Sequence, residues 1–129
     1  MKKICMSLAA TALFALAALA AAPITVDALI KNVDKHHDKT VTVVGRVADY
    51  SEKTSKRGNP YITFLLRGKS ETANVFLQGR LKKSLKNGDQ VEVTGTFRKE
   101  KKVGERTFKN EIDATAEKSK PDNIKSAKK

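Results

Sequence analysis

At 129 residues the chain is long enough for one domain, and 26 Lys and Arg against 14 Asp and Glu give a formal net charge of +12. A surplus of that sign points to an anionic partner: nucleic acid, an acidic glycan, lipid headgroups or an acidic protein. A single cysteine, Cys5, excludes an internal disulfide framework.

Residues 1–20 read as a secretory signal peptide. Lys2 and Lys3 form a positive n-region, an apolar run extends from Leu8 to Leu19, and Ala18-Leu19-Ala20 is a small-x-small cleavage site. Proline directly after the scissile bond would hinder cleavage, so Pro23 argues against a cut after Ala22. The run is too short and too alanine-rich for a membrane anchor. A periplasmic or secreted protein is therefore expected, with Cys5 removed and no membrane span left after processing. Stability must then come from packing and backbone hydrogen bonds alone.

Residues 21–39 are expected to hold a short helix and a polar loop. In "ITVDALIKNV", Thr25 is a good N-cap and Asp27 falls in the first turn, where the helix dipole favours negative charge. Ile24 and Leu29 stand at hydrophobic-staple spacing, and Val26, Leu29, Ile30 and Val33 make one apolar stripe. The helix should plug or flank the main body, with "DKHHDK" as a loop after it. His36, His37, Asp34 and Asp38 have the chemistry of metal ligands. Adjacent histidines on one loop rarely share an ion, however, and no cysteine completes the set, so neither metal nor cofactor is expected.

From Thr40 the apolar period changes to two, and residues 40–116 read as a barrel. "KTVTVVGRVADY" is the first predicted strand and "SEKTSKRGNP" a basic, turn-rich loop. "YITFLLR" and "ANVFLQ" are the second and third strands. "GRLKKSLKNGD" is predicted as a short helix, with Leu81 and Leu85 one turn apart and Gly88 near its end. "QVEVTGTFRK" is the fourth strand, "EKKVGE" a hairpin loop and "RTFKNEIDA" the fifth. Five strands with one helix between the third and fourth describe a mainly β, Greek-key OB-type barrel. Gly45 and Gly95 are the candidate points where strands one and four bend. Residues 117–129 are rich in Lys and Ser with little to bury, and a disordered basic tail is expected.

The stretches "VVGRV", "PYITFLLRG", "ANVFLQG" and "LKNGDQVEVTGTF" together resemble the OB-fold nucleic-acid-binding domains related to the anticodon-binding modules of aminoacyl-tRNA synthetases. The resemblance runs from Thr40 to Ala114. Gly68 stands where those domains usually carry an aspartate, and no synthetase catalytic domain accompanies the barrel. The order of signal peptide, short helix and barrel is also similar to that of small periplasmic OB-fold proteins linked to stress tolerance. That second likeness implies an alternative function, the binding of a small ligand or envelope component.

Such barrels bind across strands two and three, between the loops joining strands one to two and four to five. Alternation puts Ile62, Phe64 and Leu66 on one face of strand two, and Ala73, Val75 and Leu77 on one face of strand three. The more polar faces are expected outward, presenting Tyr61 and Phe76 for base stacking and Thr63, Asn74 and Gln78 for hydrogen bonding. Lys53, Lys56 and Arg57 on the first loop would hold phosphates, as would Arg98, Lys99, Lys101, Lys102 and Arg106 around the second. Arg46 and Arg67 reach the same surface from the strands. No histidine follows position 37 to act as a base, no glycine-rich phosphate loop is present, and the carboxylates look like surface and turn residues. The expectation is a binding protein rather than an enzyme, with single-stranded nucleic acid or another polyanion as its partner.

Overall fold

The computed structural model describes residues 22–115 and 123–127. The predicted signal segment with residue 21, the last residue of the predicted barrel (116), and residues 117–122 and 128–129 of the predicted tail lie outside these. The elements in chain order are β1 (Pro23–Thr25), α1 (Val26–Lys31), α2 (Val33–His36), β2 (Thr40–Thr54) and β3 (Pro60–Arg67). They are followed by β4 (Thr72–Gln78), β5 (Gln90–Val103), β6 (Arg106–Asp113) and β7 (Ile124–Ser126). The strands form one sheet in the order β1-β2-β3-β4-β6-β5-β7, and an additional β2–β5 pairing closes a ring through β2, β3, β4, β6 and β5. Pairing is antiparallel except at β1–β2 and β4–β6.

The period-two pattern fills this ring. Val43, Val47, Ile62, Leu66, Val75, Val91, Val93, Phe97 and Ile112 are all buried inside it. Each fully buried side chain of this kind contributes about 1.5–3 kcal/mol of transfer free energy, which replaces the missing disulfides. α1 plugs one end, with Val26 and Leu29 wholly buried. Thr25 caps it as expected, its Oγ1 accepting from the Ala28 amide at 3.1 Å. The predicted single helix is broken at Asn32, whose φ of −130° and ψ of 48° separate α1 from α2. Among the described residues no helix is long and apolar enough to cross a membrane.

β2 and β5 each serve two neighbours, and a glycine sits at each handover. β2 pairs with β5 across Thr40–Arg46 and with β3 from Arg46 onward. β5 pairs with β2 across Gln90–Thr96 and with β6 from Thr96 onward. At Gly45 a Cβ would come within 2.8 Å of Arg67 O and of Leu66 Cγ. At Gly95 it would collide with Asp113 O. Both positions need a residue without a side chain because another strand crosses there.

Three expectations need correction. Residues 79–89 are not helical; they form bends and a turn. Lys82 and Lys83 stand four and three residues before Lys86, at repelling helical spacings, and eleven residues with a glycine near each end nucleate a helix poorly. Leu81 and Leu85 still pack against the core, so the pattern reported burial rather than conformation. Secondly, both basic "loops" are largely strand. β2 continues to Thr54, and β5 and β6 run out to a turn at Gly104-Glu105. Thirdly, the tail is not wholly without structure. Ile124–Ser126 pairs antiparallel with Val91–Val93, and Ile124 is buried against them. One isoleucine among lysines is enough to cover that strand edge.

Candidate functional site

The outer face of β3 and β4 is organised in cross-strand rows. Asn74 is opposite Leu65, Phe76 opposite Thr63, and Gln78 opposite Tyr61. β2 extends the rows with Ala48, Ser51 and Lys53. A bulge between Ala48 and Ser51, where Asp49 takes a φ of 53°, sets the last two of these outward. Without that extra residue the strand's alternation would turn Lys53 toward the core, so the bulge delivers a cation beside Tyr61.

β5 and β6 pass the end of the barrel as a two-stranded arm. Register places Lys101 opposite Phe108 and Val103 opposite Arg106. The arm closes over the β3–β4 face and leaves a cleft of about 370 Å³ between them. Tyr61, Phe76 and Phe108 form its aromatic walls, and Lys53, Lys101 and Arg106 its basic ones. The Tyr61 and Phe76 rings are 5.8 Å apart. Thr63 and Asn74 lie on the floor, where Asn74 Nδ2 donates to Lys109 O at 2.8 Å and ties β4 to the arm.

One carboxylate belongs to this basic cleft. Glu111, opposite Asn74 on β6, has a side chain only 7% exposed. Lys101 Nζ lies 2.6 Å from its Oε1 and 4.8 Å from the Phe76 ring centre, with Phe108 at 5.9 Å. Among the described residues this ammonium is the one polar partner of the buried Oε1. Arg80 braces the site from behind, donating to Tyr61 O at 2.8 Å and to Lys53 O at 3.0 Å.

Of the residues singled out from sequence, Tyr61, Thr63, Asn74, Phe76, Lys53, Lys101 and Arg106 converge on this cleft. Gln78 shares the Tyr61 row but is not part of the wall. Arg46 and Arg67 are directly opposite each other on the same outer face. Arg67 is six positions along β3 from Tyr61, a span of about 20 Å, and the two arginines line a second cleft with Lys69 and Asp27. Lys56 and Arg57 are exposed at the β2–β3 hairpin tip. Lys102 alternates with Lys101 and faces away from the cleft.

Arg98 and Lys99 are committed elsewhere. Arg98 Nε is 3.5 Å from Asp38 Oδ1, and Lys99 Nζ pairs with Asp34. The hydrogen bond and charge of that pair raise the Lys99 pKa and lower that of Asp34. His37 Nδ1 accepts from the Lys99 amide at 3.1 Å, so this histidine helps dock α2 on β5. Among the described residues no cluster of His, Cys, Asp and Glu is placed to hold a metal ion.

Phe108, Val103 and Glu111 were not singled out from sequence. The signal for Phe108 is there: a two-residue turn at Gly104-Glu105 fixes Lys101 opposite Phe108, which puts an aromatic on the arm.

The family described as "OB-fold nucleic acid binding domain" matches residues 41–118, more than half of the chain. A search of curated proteins finds no match. Among solved structures the chain is similar to the crystal structure of yeast Stn1 and Ten1, with a TM-score of 0.57 and 16% identity. That alignment covers 84% of this chain and 64% of the other, so the chain spans less than two thirds of its relative. It is also similar to the second OB-fold domain of replication protein A from Methanococcus maripaludis, with a TM-score of 0.47 and 20% identity, covering 72% of this chain and 88% of that one. The first likeness supports the five-strand ring as a shared fold.

Proposed function

The chain belongs to the family of OB-fold nucleic acid binding domains, and on that premise we propose that it binds single-stranded nucleic acid across the outer face of β3 and β4. The observation that carries this reading is the cleft in which three aromatic rings stand among three basic side chains. Bases stack on Tyr61, Phe76 and Phe108, each stacked base contributing about 1–3 kcal/mol. Lys53 and Arg106 hold phosphates at the cleft rim, while Arg46 and Arg67 continue the basic track along the same face. A duplex would bury its bases away from these rings, so the exposed bases of a single strand fit the cleft better.

The reading is one of binding rather than catalysis. Titration of a labelled single-stranded oligonucleotide, followed by fluorescence anisotropy at low and moderate salt, tests it directly. Tight binding that weakens steeply with salt is expected. Absence of binding at low salt would rule the function out.

The same proposal includes export. Lys2, Lys3, the Leu8 to Leu19 run and the Ala18-Leu19-Ala20 site support a cleaved leader and a periplasmic or secreted protein. Intact mass of the protein from cell fractions is expected to show a form beginning near Ala21 outside the cytoplasm; an unprocessed cytoplasmic form would refute it.

A further inference from the structure

We propose that Glu111 reads the base in the cleft, selecting bases with an exocyclic amino group, with cytosine over uracil as the clearest case. The inference rests on the single-strand reading and goes beyond it by assigning a specificity. A phosphate-binding face has no use for a buried carboxylate, which repels the backbone and is costly to desolvate. Glu111 is nevertheless there, 7% exposed, on the outer face beside Asn74.

Lys101 occupies both things a base would need. Its ammonium lies over the Phe76 ring and 2.6 Å from Glu111 Oε1, a buried oxygen with no other polar partner among the described residues. A base that stacks on Phe76 displaces the ammonium and uncovers Oε1. The freed lysine then serves a phosphate, so its charge is transferred rather than lost.

An ionised carboxylate only accepts hydrogen bonds. Cytosine presents its N4 amino group as a donor, as adenine does with N6 and guanine with N1 and N2. At that ring position uracil and thymine carry O4, whose lone pairs Oε1 repels; their one donor on this edge, N3–H, is flanked by O4 and O2, so reaching it brings a carbonyl oxygen against the carboxylate. The neighbouring groups do not undo this choice. Asn74 Nδ2 has one of its two N–H groups committed to Lys109 O, which holds the amide against the arm. Arg98, in register with Glu111 on β5, is turned to Asp38. The carboxylate thus combines attraction for amino-bearing bases with rejection of the others.

The test compares eight-nucleotide oligo(dC) and oligo(dU), matched in length, charge and ring size, by anisotropy at fixed salt. The wild-type protein is expected to bind oligo(dC) about tenfold more tightly. Glu111→Gln should bring the two affinities within about twofold, chiefly by improving oligo(dU). A ligand-side control does not depend on the variant folding: oligonucleotides of N4,N4-dimethylcytosine, which has no N4–H, should lose the advantage with wild-type protein. Equal wild-type affinities, a preference for oligo(dU), or a ratio that survives Glu111→Gln would each overturn the assignment while leaving single-strand binding intact. Failure to bind either oligonucleotide would remove both readings together.

Discussion

Tyr61 and Phe76 are diagonal neighbours across β3 and β4, with ring centroids 5.8 Å apart and planes inclined by 35°. Neither ring is in the core, and together they form a continuous aromatic strip beneath the β5–β6 arm. Tyr61→Ala and Phe76→Ala should therefore each weaken oligonucleotide binding by about five- to hundredfold, the loss of one stacked base. The double variant should lose less than the product, because the rings touch and share one ligand. Anisotropy titrations at one salt concentration check this, and an unchanged affinity for both single variants would exclude stacking.

That aromatic strip was legible because strand alternation depends only on the order of residues. Ile62, Phe64 and Leu66 had to face inward together, which forced Tyr61 and Thr63 outward. Glu111 was not legible, since its role depends on Lys101 reaching it from another strand. Lys53 was assigned to a loop because the bulge at Asp49, which restores its outward phase, leaves no mark in the hydrophobic pattern. Leu81 and Leu85 misled for a related reason: spacing of one helical turn also suits an irregular segment that touches the core twice.

Salt dependence separates the cations that face the cleft from those bound to the protein's own carboxylates. Lys53→Ala and Arg106→Ala should each reduce the slope of log affinity against log salt by about 0.7, one phosphate contact on a single strand. Lys99→Ala should leave the slope unchanged, because its ammonium is paired with Asp34. A titration series from low to moderate salt measures all three. An equal fall in slope for Lys99→Ala would mean that binding reads total charge rather than the cleft.

Acid stability should depend on Asp27. Its carboxylate accepts from the Glu71 amide and from the amide and hydroxyl of Ser70, fastening the β3–β4 loop to α1. The Glu71 amide foremost, with Ser70, holds its pKa below the usual 3.8, against an opposing effect of burial. A carboxyl whose folded pKa is depressed contributes stability above its unfolded value, and that stability is lost as pH falls through the folded one. Asp27→Asn should therefore lower the melting temperature at pH 7. The gap from wild type should hold down to about pH 4 and then narrow. Thermal melts across that range give the answer, and a gap constant down to pH 2 would show that ionisation of Asp27 is not involved.

Gly95 offers a test of the barrel's closure that is independent of any ligand. Where alanine fits, replacing glycine stabilises a protein by about 0.4–1 kcal/mol through the unfolded chain. At Gly95 it does not fit, since the added carbon would collide with Asp113 O and lie 3.0 Å from Ala114 Cα. Both neighbours are backbone, so relief requires β5 and β6 to separate at the residue where β5 leaves β2. Gly95→Ala should cost about 1–3 kcal/mol as overpacking. Gly45→Ala should cost less, because two of its three close neighbours are the Leu66 and Val26 side chains, which can shift. Urea unfolding of both variants provides the comparison. A Gly95→Ala protein as stable as wild type would show that the strand handover tolerates a side chain, and the glycine would then need another explanation.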